Sequence, residues 1–353
     1  MGSSSARGAA ALAAASFVIL SGCSGDAPAP PPPTLQGLAL DTLYQIGAEQ
    51  GETWEAFGGI WDVEVSPTGY AAVLDIETGQ AHVYDPSGAH VGSVLESGLE
   101  PGALTEPTGL AWRDGDELLV WDPGGSWISR FAVRNPGLEF ADQFRAFAFG
   151  ETGFCAQGER TYLSYWQDGL VVHELGPEGP VRSFGEAPEI PGMSSLGPEL
   201  QEIGIEELSP SALLCSPGGV LDVAFFGSTI RFHDLDGTLR WEREFEDFNP
   251  LVVYTPDGMG LGRRFDAASG THLLLSVVAW GDDHALVQHE LRTREFPEEG
   301  EVPEIESRLI RLEDGVEVDR TRALPRILGT WGQRLYLAES DPYPRVIIVE
   351  ATG

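Results

Sequence analysis

Carboxylates dominate the side chains that can do chemistry in this chain: 55 Asp and Glu stand against 21 basic residues, every one of them Arg, for a net charge of -34. Four of them, Glu64, Asp75, Asp122 and Asp222, fall on or at the ends of short apolar runs, from which carboxylates can reach the axis of a closed sheet assembly and hold a metal ion or trade a proton. Asp114, Asp116 and Glu117 look like a fragment of a calcium loop, but the twelve-residue ligand pattern is absent and a polar hairpin turn is expected there. His284 and His289 are the nearest pair among seven His; five apart on a strand they point to opposite faces and cannot chelate one metal together. Gly258-Met-Gly-Leu-Gly262, ahead of Arg263 and Arg264, has the glycines of a phosphate-binding loop without its strand-to-helix setting. No Gly-x-Ser-x-Gly elbow occurs. The absence of Lys rules out a Schiff-base lysine or a phosphate-loop lysine, and so negative a field repels nucleic acid, whose phosphates need clustered Lys and Arg. The sequence therefore assigns no catalytic residue and no cofactor, and leaves a bound metal open.

The strongest signal lies at the N-terminus. Arg7 precedes an uncharged run over residues 9–20, too short to span a bilayer, that ends in Leu20-Ser21-Gly22-Cys23. These four residues resemble the bacterial lipobox, which implies cleavage of a signal peptide over residues 1–22 and acylation of Cys23. Several acyl chains on one residue suffice for stable anchoring. Ser24 follows the Cys where an Asp tends to retain lipoproteins at the inner membrane, so the expected home is the outer membrane, facing the periplasm or the cell surface. Residues 23–37 form a tether, with five prolines among residues 28–33 that favour an extended semi-rigid spacer.

From residue 38 the chain carries short apolar runs punctuated by turns, with almost no stretch of period 3.6 long enough for a buried helix, the pattern of one all-β domain over residues 38–353. Val63-Glu64-Val65 aligns with Leu110-Ala111-Trp112, and Val73-Leu74-Asp75 with Val120-Trp121-Asp122, both at a step of 47 residues. A repeat of about 40 to 50 residues with several strands is the size of a propeller blade. Extending the alignment gives blades at 60–104, 105–142, 143–190, 208–248, 271–325 and 326–353. The last has only three strand-like runs, and residues 41–47 are expected to supply the missing outer strand and cover the open edge. The expected fold is a six-bladed β-propeller closed by an N-terminal strand, with seven blades if residues 249–270 make a sheet of their own.

The stretch from Ser97 to Phe131 resembles an NHL repeat, through Pro107, Gly109, Leu110, Ala111, Asp122 and Arg130; the first blade fits more loosely through Asp75 and Asp85. The whole is similar to six-bladed propeller lipoproteins that bacteria export. That resemblance implies the fold and carries no activity. The gluconolactonase and regucalcin type of propeller hydrolase holds an axial calcium with Glu, Asn and Asp, whereas this chain has two Asn, Asn135 and Asn249, each before a Pro. Cys155 and Cys215 fall on equivalent inner strands of the third and fourth blades, where a disulfide or two buried thiols can form. The acidic run over residues 295–306 is expected as a solvated hairpin extension. The functional expectation is a monomeric binding or scaffold module that meets the membrane only through its lipid, with a protein, peptide or glycan as ligand; the alternative is a metal-dependent hydrolase or lyase using channel carboxylates.

Overall fold

Five- and six-residue runs that are apolar throughout, rather than alternating, fold as strands covered on both faces, and tight polar turns return each one beside the last. The computed structural model describes residues 34–94, 101–134, 136–146, 148, 153–256, 260–295 and 304–353. The lipobox with Cys23, the proline spacer, Asn135, Gly258 and the middle of the acidic run lie outside these residues.

The first strand, β1 (Ala39–Ile46), is followed by blade one, β2 (Ile60–Val65), β3 (Ala71–Asp75), β4 (Gln80–Tyr84) and β5 (His90–Val94). Blade two is β6 (Gly109–Arg113), β7 (Glu117–Asp122), β8 (Trp127–Val133) and β9 (Leu138–Arg145). Blade three is β10 (Phe154–Gln157), β11 (Arg160–Gln167), β12 (Leu170–Gly176) and β13 (Gly179–Glu186). Blade four is β14 (Ser211–Ser216), β15 (Gly219–Ala224), β16 (Thr229–His233) and β17 (Leu239–Glu244). After a hairpin of β18 (Val252–Tyr254) and β19 (Gly262–Arg264), blade five is β20 (Thr271–Ala279), β21 (His284–Arg292), β22 (Glu304–Arg311) and β23 (Glu317–Thr321). Blade six joins β24 (Ile327–Trp331), β25 (Arg334–Glu339) and β26 (Arg345–Thr352) to β1, in the sheet order β1-β26-β25-β24. Each sheet is antiparallel. The inner strands β2, β6, β10, β14, β20 and β24 pack side by side around an axis.

The molecule is thus a six-bladed β-propeller closed by its N-terminal strand, Ala39 opposite Thr352 and Ile46 opposite Val346. Among the described residues, those between 249 and 270 contribute only the two-stranded hairpin, and the four-stranded blades number six. The core is divided into seams between neighbouring sheets. Leu74 and Val83 of blade one meet Leu110, Trp112 and Val120 of blade two, and Leu337 and Val349 of blade six meet Leu286 and Leu309 of blade five. At about 1.5 to 3 kcal/mol for each fully buried large side chain, these seams hold the blades together, and hydrogen bonds such as that from the Ser211 N–H to the Ser164 hydroxyl at 2.7 Å cross them as well.

The 47-residue repeat is also a repeat of hydrogen bonds. Asp75, at the end of β3, accepts from the backbone N–H groups of Gly58 and Gly59, both at 2.9 Å. Asp122, at the end of β7, accepts from Thr105 at 2.7 Å and Glu106 at 2.8 Å. Another polar position recurs between third and fourth strands: His82 faces Ser93, Arg130 faces Asp142, His173 faces Ser183 and Arg231 faces Glu242.

One element departs from the all-β expectation. Helix α1 (Pro198–Leu208) lies between blades three and four, its Pro at the first helical position after Gly197. It packs with Ile190, Met193 and Leu196 against Val253 of β18. Gly192 is needed at this junction: its φ is +90°, and a Cβ there would lie 2.0 Å from the Val253 carbonyl oxygen. Two inter-blade insertions thereby cover each other on one face of the ring.

Candidate functional site

The axis of the ring is an open channel with two wide ends that share Glu64, Phe154, Leu213, Val277 and Leu328 as lining. One end, about 800 Å³, is bordered by the ends of the inner strands and the turns that follow them, including Pro67, Asp114 and Trp331. The other, about 1160 Å³, is bordered by the entrances to the inner strands and by the insertion between blades four and five. This second end is the larger of the two and brings Asp62, Glu64, Glu290, Arg292 and Arg326 together, so it is the candidate site.

Its shape depends on bulges in three inner strands. On β2 the register with β3 shifts between Ile60 and Asp62, leaving Trp61 as the extra residue. On β20 it shifts between Leu274 and Ser276, and on β24 between Ile327 and Gly329. The three extra residues, Trp61, Leu275 and Leu328, all line the channel. A bulge re-aims side chains at the price of one unpaired position, and here it brings Trp61 and Asp62, neighbours in sequence, to the same cavity. The Trp61 indole N–H donates to the Thr108 carbonyl at 3.0 Å, which fixes the ring at the rim.

Below the rim sit Asp62, Glu64, Glu290, Arg292 and Arg326. One oxygen of Asp62 accepts from the Leu110 N–H at 3.1 Å. Removal from bulk water pushes the Asp62 carboxyl up to about 6, against the relief given by the Leu110 and Val63 N–H groups and the Arg326 charge. Glu64, two residues along the same strand, is pushed well above the ordinary carboxylate range by burial and then by the Asp62 charge. Glu290 is engaged by the Arg292 guanidinium through two bonds of 2.8 and 2.9 Å. Arg326 is lowered by burial, with the charges of Asp62 and Glu290 opposing. Its backbone is held by Gln288, whose amide donates to Pro325 O at 2.8 Å and accepts from Ile327 N–H at 2.7 Å. The rest of the lining is mixed: Phe225 and Phe226 of the blade-four turn and Leu251 and Phe265 of the insertion give it apolar surface, and Glu106, Arg263 and Glu295 add charge.

Of the four carboxylates singled out from the sequence, the structure brings only Glu64 to the channel. Asp75, Asp122 and Asp222 are at most 1% exposed and lie within the blades. The first two clamp the loops that lead into the inner strands, as described. Asp222 lies in the middle of β15, 3.7 Å from Arg231, with burial raising its pKa above the usual value. Strands next to the inner one have both faces covered by neighbouring blades, so their side chains cannot reach the axis. The residues missed were Asp62, placed by the bulge in β2, Glu290 of β21 in blade five, and Arg326, in the connection between β23 and β24. Asp114, Asp116 and Glu117 form a hairpin turn, as expected, with Asp116 at φ +59° and accepting from the Thr68 hydroxyl at 2.5 Å. His289 is buried against Phe245 and Phe248, while His284 bonds Asp283 at the turn. Among the described residues no three His, Cys, Asp or Glu side chains converge as a metal site. Cys155 and Cys215, on adjacent inner strands, have Cα atoms 5.6 Å apart and sulfurs at bonding distance.

No family model matches the chain, and no curated protein does. Solved structures do. An export-candidate protein of Bacteroides fragilis superposes with a TM-score of 0.54 at 10% identity, over 89% of this chain and 95% of its own. A member of the DUF4221 family from Bacteroides vulgatus gives 0.50 at 10% identity, over 89% and 98%. Virginiamycin B lyase from Staphylococcus aureus gives 0.48 at 10% identity, over 89% and 99%. At such identities the likeness is one of fold.

Proposed function

We propose that the protein is an exported, lipid-anchored binding module whose ligand seats in the wide end of the central channel. The observation that carries this reading is the cavity of about 1160 Å³ in which charged groups converge beside aromatic and aliphatic surface, a concave mix of apolar area and oriented polar groups that suits a small molecule or a peptide segment. The two insertions between blades support it, since loops set on a rigid frame are where binding functions concentrate. A hydrolase that holds calcium by several channel carboxylates is less well supported, because Asp75, Asp122 and Asp222 are committed within the blades.

The anchor is proposed from Leu20-Ser21-Gly22-Cys23 and the proline spacer, and the NHL-type kinship from the Pro107 to Arg130 pattern. Replacing Cys23 by Ser is expected to release the protein from the membrane into the soluble fraction; unchanged fractionation would remove the anchor from the proposal. The site is tested by ligand-observed NMR of a fragment library against the full chain. Hits are expected to compete with one another and to be lost in Leu275→Arg, which fills the cavity from a partly exposed position. Hits that survive that substitution would place the site elsewhere.

A further inference from the structure

The polar groups at the floor of the cavity do not satisfy one another. Arg326 Nε is sealed from solvent and has no hydrogen-bond partner, although an unpaired buried donor is costly. Its guanidinium feels the charges of Asp62 and Glu290 without an ion pair to either, and Glu290 is already engaged by Arg292. Asp62 has spent one oxygen on Leu110 and keeps lone pairs for a donor. The floor thus offers a cationic donor and an anionic acceptor within electrostatic reach of each other, each with hydrogen-bonding capacity left over.

That arrangement selects by charge. A cationic head group would meet Asp62 but also Arg326, and an anionic one would meet Arg326 but also Asp62; each gains one attraction and one repulsion in a medium that screens weakly. A neutral group with an acceptor and a donor on adjacent positions satisfies both. A sugar fits less well, because it carries many hydroxyls and the walls around the floor are Phe225, Phe226, Phe265 and Leu251.

We propose that the floor of the cavity binds an uncharged extended peptide segment with apolar side chains: the carbonyl oxygen of one residue accepts from the Arg326 guanidinium, the N–H of the same residue, which points to the same side of an extended chain, donates to Asp62, and the side chains lie on the aromatic walls. Gln288, by gripping the backbone on both sides of Arg326, acts as the positioning residue. Glu64, beside Asp62, adds a carboxyl that in its neutral form also both donates and accepts. The inference rests on the cavity being the ligand site.

The test uses the full chain at pH 7 and one dipeptide in three forms: N-acetyl-diphenylalanine amide, the same amide with a free N-terminus, and the acetylated dipeptide with a free carboxylate. Affinity is read by calorimetry. The neutral form is expected to bind about tenfold more tightly than either charged form, and Arg326→Met to weaken it about tenfold, the loss of one charge-assisted hydrogen bond. Glu64→Gln, which keeps a donor and an acceptor, is expected to hold affinity for the neutral form within about twofold. A charged form that binds as well as the neutral one, or an Arg326→Met protein that binds undiminished, overturns the proposal. If none of the three binds while library fragments still compete for the cavity, the amide assignment falls and the binding site stands; if the fragments fail too, both fall.

Discussion

Asp62 serves two ends that pull against each other: it ties blade two to blade one through Leu110 and it exposes the channel to a charge that burial disfavours. Its folded carboxyl titrates near 6, above the ordinary 3.8, so the native state keeps a proton that the unfolded chain has lost over that window. Stability from this group is fully present below about pH 4 and lost as pH rises through about 6. Asp62→Asn keeps an oxygen for Leu110 and removes the charge. Urea titrations are expected to show the variant more stable than the parent by about 1 to 2 kcal/mol at pH 8, a figure reduced for partial solvent access, and equal to it at pH 4. A variant less stable at pH 8 would mean that attraction to Arg326 outweighs burial. At this scale the sequence was informative about Asp75 and Asp122, which recur at the repeat step, but not about what they do. The chain shows a carboxylate at the end of a strand; only the folded loop shows the N–H groups it receives. Asp62 stayed hidden for another reason: alternation predicts facing only where the register is unbroken, and a bulge moves every later side chain to the other face. Arg326 lies in the connection just before β24, where alternation predicts nothing.

Among the elements, β1 was the most legible, because a last repeat with three strands where others have four asks for a fourth from elsewhere. Its ladder with β26 runs from Ala39 opposite Thr352 to Ile46 opposite Val346, and Leu38 and Leu40 pack on the seam between blades five and six. Asp319 of β23 holds the approach, accepting from Thr34 and from the Leu35 N–H at 2.6 and 2.7 Å. Those bonds keep its carboxyl down at about 2, so their contribution is present above the ordinary carboxylate value and lost as pH falls through about 2. Deleting residues 38–48 is expected to cost about 5 kcal/mol from lost apolar burial and hydrogen bonds and to bare the edge of β26, read as a lower, less cooperative melt with aggregation. Deleting residues 28–33 is expected to leave the melting temperature unchanged. Equal melting of both deletions and the parent would refute the closure. Helix α1 was not legible: it belongs to no repeat, and its Gly197-Pro198 start is easily taken for one more turn.

At the scale of the whole molecule, cohesion is shared between seams of similar make, each a cluster of buried apolar side chains from two neighbouring blades. Cys155 and Cys215 add a covalent tie between blades three and four across a sequence separation of 60. Thiol counting on denatured, unreduced protein is expected to find neither reactive, and replacing both by Ala to lower stability by about 2 to 4 kcal/mol; two reactive thiols would refute the bond. The closing blade has a further consequence, in the order of events during synthesis. Ile46 leaves the ribosome about 300 residues ahead of Val346, which it must face. Blades one to five can collapse in turn as an open arc, but β1 has to wait unpaired until the opposite end arrives, and pairings so distant in sequence are slow. A chain crossing a membrane with its N-terminus leading would carry that waiting strand through first. The closed ring therefore works as an inventory: a chain cut short before β26 leaves β1 without its partner, and the unpaired strand marks it for aggregation or proteolysis before it can be mistaken for finished product.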